Sequence, residues 1–408
     1  MRRFTLAGFV ATMLLGASVP EARAANYTTC VRWQAQTIDS GFGEDRLSWA
    51  NSATSLVTAY GVRIRITSAN GTFQQTYDTS PSSGCLGWST NASGPFTVRV
   101  YYFVSDTNGN VIRYHDEGDD AFGSYPGDTY WYEVAGYAPT PNATTHVNAG
   151  AWSPRATAMS TASMVSRYFP GMTSDKQIHM ADAVSCNGSS AHHCSGDCPY
   201  ANDAYVRLQL DSCVDSSEGR RRKFTTAHEL GHARAILHQQ RLEPNVDTGL
   251  AAGGCNDGDS YWMESREYNS VAMREGQAHF AAVWTYNDPS QSNAFIRWFN
   301  TTYDVETNTP NLSGGHLENN CGGAVDGEGS NLDAMRMYWD WTTPTGAANR
   351  ASRTDVLNGY KYMVDADPNE SQYWVYFYLY ASLFLSEPLR DQLWYTSCWN
   401  GLVPQNLC

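Results

Sequence analysis

Basic residues are scarce in this chain. Only 27 Lys and Arg stand against 41 Asp and Glu in 408 residues, a net charge of −14. An acidic surface repels phosphate backbones, so nucleic acid is not expected as a partner. Long apolar runs are missing as well. The two most apolar stretches, residues 4–19 and 373–385, fall short of the ~20 residues that a membrane-spanning helix needs. The second reads instead as a buried core helix, and no membrane span is expected in the mature chain. There is no internal repeat, which excludes a solenoid or propeller. The length leaves room for two domains or one large one, with a substantial core.

The N-terminus carries its own signal. Arg2 and Arg3 precede the short apolar stretch 4–19, and Ala22-Arg23-Ala24 has the small-x-small form of a cleavage site. Residues 1–24 therefore read as a secretory signal peptide, and the protein as secreted and extracellular. Removal of Arg2, Arg3, Arg23 and Glu21 would move the net charge from −14 to −16. All ten cysteines follow that site. An even count in an exported chain reads as disulfides. Connectivity is not readable from sequence. Proximity suggests Cys30–Cys85, two bridges among Cys186, Cys194, Cys198 and Cys213, then Cys255–Cys321 and Cys398–Cys408.

Residues 26–138 read as an all-β sandwich. Val62-Arg63-Ile64-Arg65-Ile66 alternates apolar and charged residues, the period of a half-buried strand. Further strands are expected at 98–104, 111–114 and 130–134, with hairpin turns at Asn70-Gly71 and Asn108-Gly109. The pattern resembles the immunoglobulin-like or transthyretin-like accessory modules of secreted bacterial proteins. Pro139 and Pro141 mark a linker at 138–142. After it the period turns helical. Helices are expected from Ser153-Pro154 to about 169, over 224–237 and over 270–286, with strands at 177–184 and 204–210 and a mostly helical C-terminal part. The fold class is α+β: a sandwich at 26–138 and a second domain at 142–408.

One motif carries chemistry. His228-Glu229-Leu230-Gly231-His232 is an H-E-x-x-H sequence on an expected helix. Residues four apart share a helix face, so both imidazoles can reach one metal ion. Zinc suits neutral imidazole nitrogens, and Glu229 stands beside them as general base for a water. With 10 His in 408 residues, a chance match is roughly a one-in-a-hundred event. The competing reading is a surface helix with two ordinary histidines.

The motif and its context resemble the zincin metallopeptidases. The resemblance implies a zincin-like domain at 142–408, a zinc ion and a peptide or protein substrate. Two residues compete as third ligand. Glu275, in Glu275-Gly276-Gln277-Ala278-His279-Phe280, resembles the glutamate helix of the gluzincins and lies 43 residues after His232. That family has an acidic residue four positions after the ligand, where this chain has His279. His279 then becomes a hydrogen-bond partner or a polar group lining the site. His238 would complete the metzincin pattern, but Ala235 stands where that family has Gly. An alanine at positive φ costs about 1 kcal/mol. On an unbroken helix His238 would point about 80° away from His228. Glu275 is the preferred ligand.

Other features are weighed against blander readings. His192, His193, Cys194 and Cys198 suggest a structural zinc, but cysteines pair in an oxidising compartment. The acidic residues at 116–120 and Asp257 with Asp259 could hold structural Ca²⁺, though most such runs are solvated. Asp106-Thr107-Asn108-Gly109-Asn110 lacks the following Gly of an EF-hand. Arg220-Arg221-Arg222-Lys223 reads as a solvated loop, a processing site or an anchor for acidic substrate. Tyr268, Tyr286 and His316 are candidate donors to a transition state. The expected function is a secreted zinc-dependent metallopeptidase with Glu229 as general base and His228, His232 and Glu275 as ligands. A rival class is a binding or adhesion protein whose β-sandwich carries the function on a zincin scaffold.

Overall fold

A computed structural model of the protein describes residues 24–39, 54–115, 129–182, 191–193, 203–208, 221–239, 263, 266–267, 269–290, 294–298, 301–305, 329–343, 350–366 and 373–403. The N-terminal part holds β1 (Ala25–Gln36), β2 (Thr54–Thr58), β3 (Val62–Ser68), β4 (Gln74–Asp78), β5 (Cys85–Thr90), β6 (Phe96–Ser105), β7 (Val111–Tyr114), β8 (Trp131–Tyr137) and β9 (Thr144–Ser153). Then follow α1 (Pro154–Tyr168), β10 (Gln177–Asp182), β11 (Ala191–His193), β12 (Asp203–Leu208), α2 (Lys223–Gln239), β13 (Arg266–Glu267) and α3 (Asn269–Tyr286). The C-terminal part holds β14 (Phe295–Trp298), β15 (Thr301–Asp304), β16 (Gly329–Ser330), α4 (Asn331–Thr342), α5 (Arg353–Ala366), α6 (Tyr373–Phe384) and α7 (Glu387–Trp399). The fold is α+β, as the alternating and helical periods imply.

Two sheets face each other in the N-terminal part. In the first, β1 pairs with β2, β5 and, in parallel, β9. The second runs β11-β12-β10-β7-β6-β3-β4, with β8 also on β6. Alternation decides what lies between them. Ile64, Ile66, Val98 and Val100 are fully buried, while Arg63, Arg65 and Arg99 between them face outward. Aromatic rings join the sheets. Trp33 of β1 meets Tyr102 of β6 edge-on at 5.1 Å, and Trp88 of β5 meets Phe96 of β6 at 5.2 Å. The Asn70-Gly71 and Asn108-Gly109 turns form as expected, with both glycines at positive φ. The Cys30–Cys85 disulfide is present between β1 and β5. Cys398 is also bridged, and its suggested partner, Cys408, lies outside the described residues, as do the other six cysteines and residues 1–23.

The linker at 138–142 does not separate two closed units. β10 pairs in parallel with β7, so one sheet continues from the N-terminal strands into the second half of the chain. β9, just past the prolines, pairs with β1. The prolines separate β8 from β9, but the backbone edges of β7 and β1 still need partners, and the later strands supply them. α1 then locks onto the first half. Ser153 caps its N-terminus, accepting from the Ala156 N–H, with Pro154 in the first turn. Thr157 bonds the backbone of Gln36, and Ser163 bonds both backbone groups of Tyr60.

Two surface expectations change. Arg222 and Lys223 are buried, beside the buried carboxyl group of Asp39, and Lys223 lies over the Phe224 and Tyr286 rings. The described part of that basic run is therefore packed rather than a solvated loop; Arg220 lies outside the described residues. α6 is not buried all round. Trp374, Phe377 and Ala381 are in the core, whereas Val375, Leu379, Leu383 and Phe384 are exposed. Its apolar composition masked the two-sided packing of a surface helix. Among the described residues, no helix is long and apolar enough to cross a membrane.

Candidate metal centre

The H-E-x-x-H motif lies within α2, which continues unbroken to Gln239. The helix is buried on every side, so its polar side chains need partners inside the protein. α3 crosses it at a point set by two small residues. A Cβ on Gly231 would come within 2.8 Å of the Ala281 side chain and 3.1 Å of the Ala278 backbone. On the far side of α3, a Cβ on Gly276 would come within 2.9 Å of the Met335 backbone nitrogen in α4. The Glu275-Gly276-Gln277-Ala278 sequence thus has a packing logic. Gly276 seats α3 against α4, Ala278 meets Gly231, and Glu275 is carried towards the two histidines.

Three ligand atoms converge there. His228 Nε2 lies 3.1 Å from His232 Nε2 and 3.2 Å from Glu275 Oε2, and His232 Nε2 lies 3.4 Å from that same oxygen. Ligand atoms that share one tetrahedral ion at 2.0–2.1 Å stand about 3.3 Å apart. The three atoms therefore match a single metal ion without rearrangement. The His228 and His232 side chains are almost fully buried, while Glu275 keeps 19% exposure, the side on which solvent reaches the cluster.

His279 joins the cluster from the other edge of His228. His228, Glu275 and His279 offer ligand atoms within 4.8 Å of one another, so they too could hold a metal ion. The set with His232 is the tighter of the two, at 3.1–3.4 Å. His279 Nδ1 lies 3.0 Å from Nδ1 of His228, the ring nitrogen that does not face Glu275. Burial lowers the pKa of His228, and burial with the neighbouring His228 charge lowers that of His279 well below its ordinary value. Both rings are thus held neutral. With its proton on Nδ1, His228 donates to His279 and keeps a lone pair on Nε2, the form a metal requires. Burial opposes ionisation of Glu275, but His232 and His228 outweigh it and hold the carboxyl group well below the usual carboxylate range. Replacing His279 by Ala should cost 10–100-fold in metal affinity, measured by competition with a chelator; unchanged affinity would remove it from the site.

Glu229 is buried, one residue beyond His228 on α2. Trp298 of β14 walls the cluster, its ring 4.8 Å from that of His228 and 4.4 Å from that of His279. No spacing rule in the sequence points to Trp298.

His238 is not brought to the cluster. Its Nε2 lies 3.1 Å from Asn358 Oδ1 on α5. The reason is the one-turn geometry of an unbroken helix, which rotates position 238 away from the 228/232 face. Tyr286 is also elsewhere, its hydroxyl donating to Thr161 Oγ1 on α1 at 2.8 Å. Tyr268 and His316 lie outside the described residues, as do Cys194 and Cys198; His192 and His193 lie on the edge strand β11. Asp106 is no cation ligand. Its carboxylate accepts from the N–H groups of Asn108, Asn110 and Gly171 and pairs with Arg234 Nη1 at 3.0 Å. The acidic stretches considered for Ca²⁺ lie outside the described residues. Compared with protein-family models and with curated proteins, the chain matches none.

Proposed function

We propose that the protein is a secreted zinc-dependent metallohydrolase that cleaves peptide bonds. The observation that carries this reading is the convergence of His228 Nε2, His232 Nε2 and Glu275 Oε2 at 3.1–3.4 Å. Two imidazoles and one carboxylate are a donor set that suits zinc. Bound there, zinc would supply Lewis acidity, polarising a carbonyl and lowering the pKa of a water. The chain's own residues do the rest. Glu229 takes a proton from the water that attacks the substrate carbonyl, then passes it to the leaving amine. His279 holds the proton arrangement of His228, and Trp298 excludes water from that flank. Export is supported by the Cys30–Cys85 disulfide, which suits an oxidising compartment.

The test is metal content beside hydrolysis of a mixed protein substrate. We expect one zinc per chain, activity abolished by chelation, and zinc lost in Glu275→Ala. Zinc retained at full occupancy in Glu275→Ala would remove that residue from the ligand set. A metal-free wild-type protein would sink the hydrolase reading.

A further inference from the structure

Nine large apolar side chains stand exposed among the described residues, and six of them lie on α6 and α7. Val375, Leu379 and Leu383 recur at every fourth position of α6, and Phe384 ends that helix. Tyr395 and Trp399 are spaced the same way on α7, their rings stacked 5.9 Å apart. Exposure of the six runs from 38% to 62%. The opposite sides of the two helices, at Phe377, Ala381 and Leu393, are buried, so both stripes face outward. Trp374 and Tyr378 of α6 meet Trp394 of α7 at 5.6 and 5.2 Å, which holds the two helices side by side.

A surface helix ordinarily turns charged residues towards water. α6 has none to turn: residues 373–385 contain no Asp, Glu, Lys or Arg. Ser382, exposed on the same side, donates its hydroxyl back to the Tyr378 carbonyl at 2.9 Å. α6 packs on α3, α5 and α7, and the side carrying Val375, Leu379 and Leu383 is left to solvent. Charge returns at the margins, already paired within the chain. Lys361 binds Asp365 on α5, and Arg390 binds Asp391 and Glu387 at the start of α7. An apolar centre inside a polar rim is the anatomy of a protein–protein interface.

We propose that this face joins two copies of the chain in a symmetric dimer. At these exposures the six side chains present roughly 500 Å² of apolar surface. That is near the upper end of what a monomer leaves in water. A stable homodimer buries about 800 Å² on each partner, about two-thirds of it apolar, which is the amount this face supplies. Charge selects the partner. The chain carries a net charge of −14, so a second copy is repelled wherever acidic residues would meet. The uncharged stripe of α6 lets two copies touch without setting like charges together. The same net charge opposes an anionic membrane surface. Two-fold symmetry sets the same patch on both sides, apolar against apolar, so no complementary surface elsewhere is needed. The face is built by α6 and α7 alone and stands independently of the hydrolase reading.

The experiment is sedimentation velocity of the full chain over a concentration series at physiological salt. A monomer–dimer equilibrium is expected, with a dissociation constant in the micromolar range or below. Leu383→Glu should weaken the dimer roughly a hundred-fold or more, because association would then bury a carboxylate against apolar surface. Leu383 is 59% exposed, so the monomer should fold as before. Tyr395→Ser, on the other helix, should weaken the dimer roughly ten-fold, and it decides alone where Leu383→Glu fails to fold. Leu56→Glu, at an exposed leucine of β2 outside the face, should leave the dimer intact. A monomer at every concentration would overturn the proposal. So would a dimer of undiminished affinity in Tyr395→Ser and any folded Leu383→Glu, or one lost equally in Leu56→Glu, since either puts the contact elsewhere. Association that grows past the dimer without limit would overturn the two-fold closure. A chain that stays monomeric yet floats with phosphatidylcholine vesicles would assign the face to lipid instead.

Discussion

Glu229→Gln should retain one zinc per chain and lose turnover by about 10²–10⁴-fold. The two parts of that expectation come from different features. The proposed metal-binding atoms belong to His228, His232 and Glu275, which the substitution does not touch. Gln keeps the shape of Glu at a buried position on α2, so the helix and its contact with α3 at Gly231 stay as they are. What disappears is the only group assigned to accept a proton from the attacking water and return it to the leaving amine. A general base acts in the transition state, so the loss should fall on kcat with little change in KM. Steady-state kinetics beside metal analysis reads both. Wild-type turnover in a zinc-loaded Glu229→Gln protein would take Glu229 out of the chemistry while leaving the metal site intact.

Asp106→Ala should destabilise the fold by about 3–5 kcal/mol. Asp106 lies in the turn between β6 and β7, and Arg234 lies on α2, two residues after His232. Their side chains are 0% and 1% exposed. Truncation would strand the guanidinium of Arg234 in the interior and leave the N–H groups of Asn108, Asn110 and Gly171 without their acceptor. A buried charge deprived of its partner is far more costly than a broken surface pair. Urea denaturation measures the loss. Adding Arg234→Met should recover part of it, because the stranded cation is then gone. A cost below about 1 kcal/mol would place the pair among ordinary contacts. The pair also ties α2 to the N-terminal sheets, so the single variant should bind zinc less tightly as well.

Elements with a local period were legible in the sequence. The expected strand at 111–114 and helix at 270–286 lie within two residues of β7 and α3 at both ends. Side chains repeat every two residues on a strand and every 3.6 on a helix whatever surrounds them. The i, i+4 spacing of His228 and His232 was legible on the same ground. α6 shows where that reading stops. Its residues are apolar on all sides, and only its neighbours decide that Phe377 is buried and Phe384 exposed.

The sequence by itself determined the helix that carries His228, Glu229 and His232, the turns at Gly71 and Gly109, the acidic balance and the α+β class. Tertiary structure alone decided which distant residue stands beside the two histidines. Glu275 does so because Gly231 and Ala278 let α2 and α3 touch, a contact between positions far apart in the chain. It also decided that one sheet crosses the proline-rich stretch, through the pairing of β7 with β10. Arg65 and Arg99 become neighbours only through the register of β3 on β6. Backbone torsions and side-chain periodicity are local and can be read along the chain. Which edges pair, in what register, and how closely two helices approach are set by burial and packing of the whole.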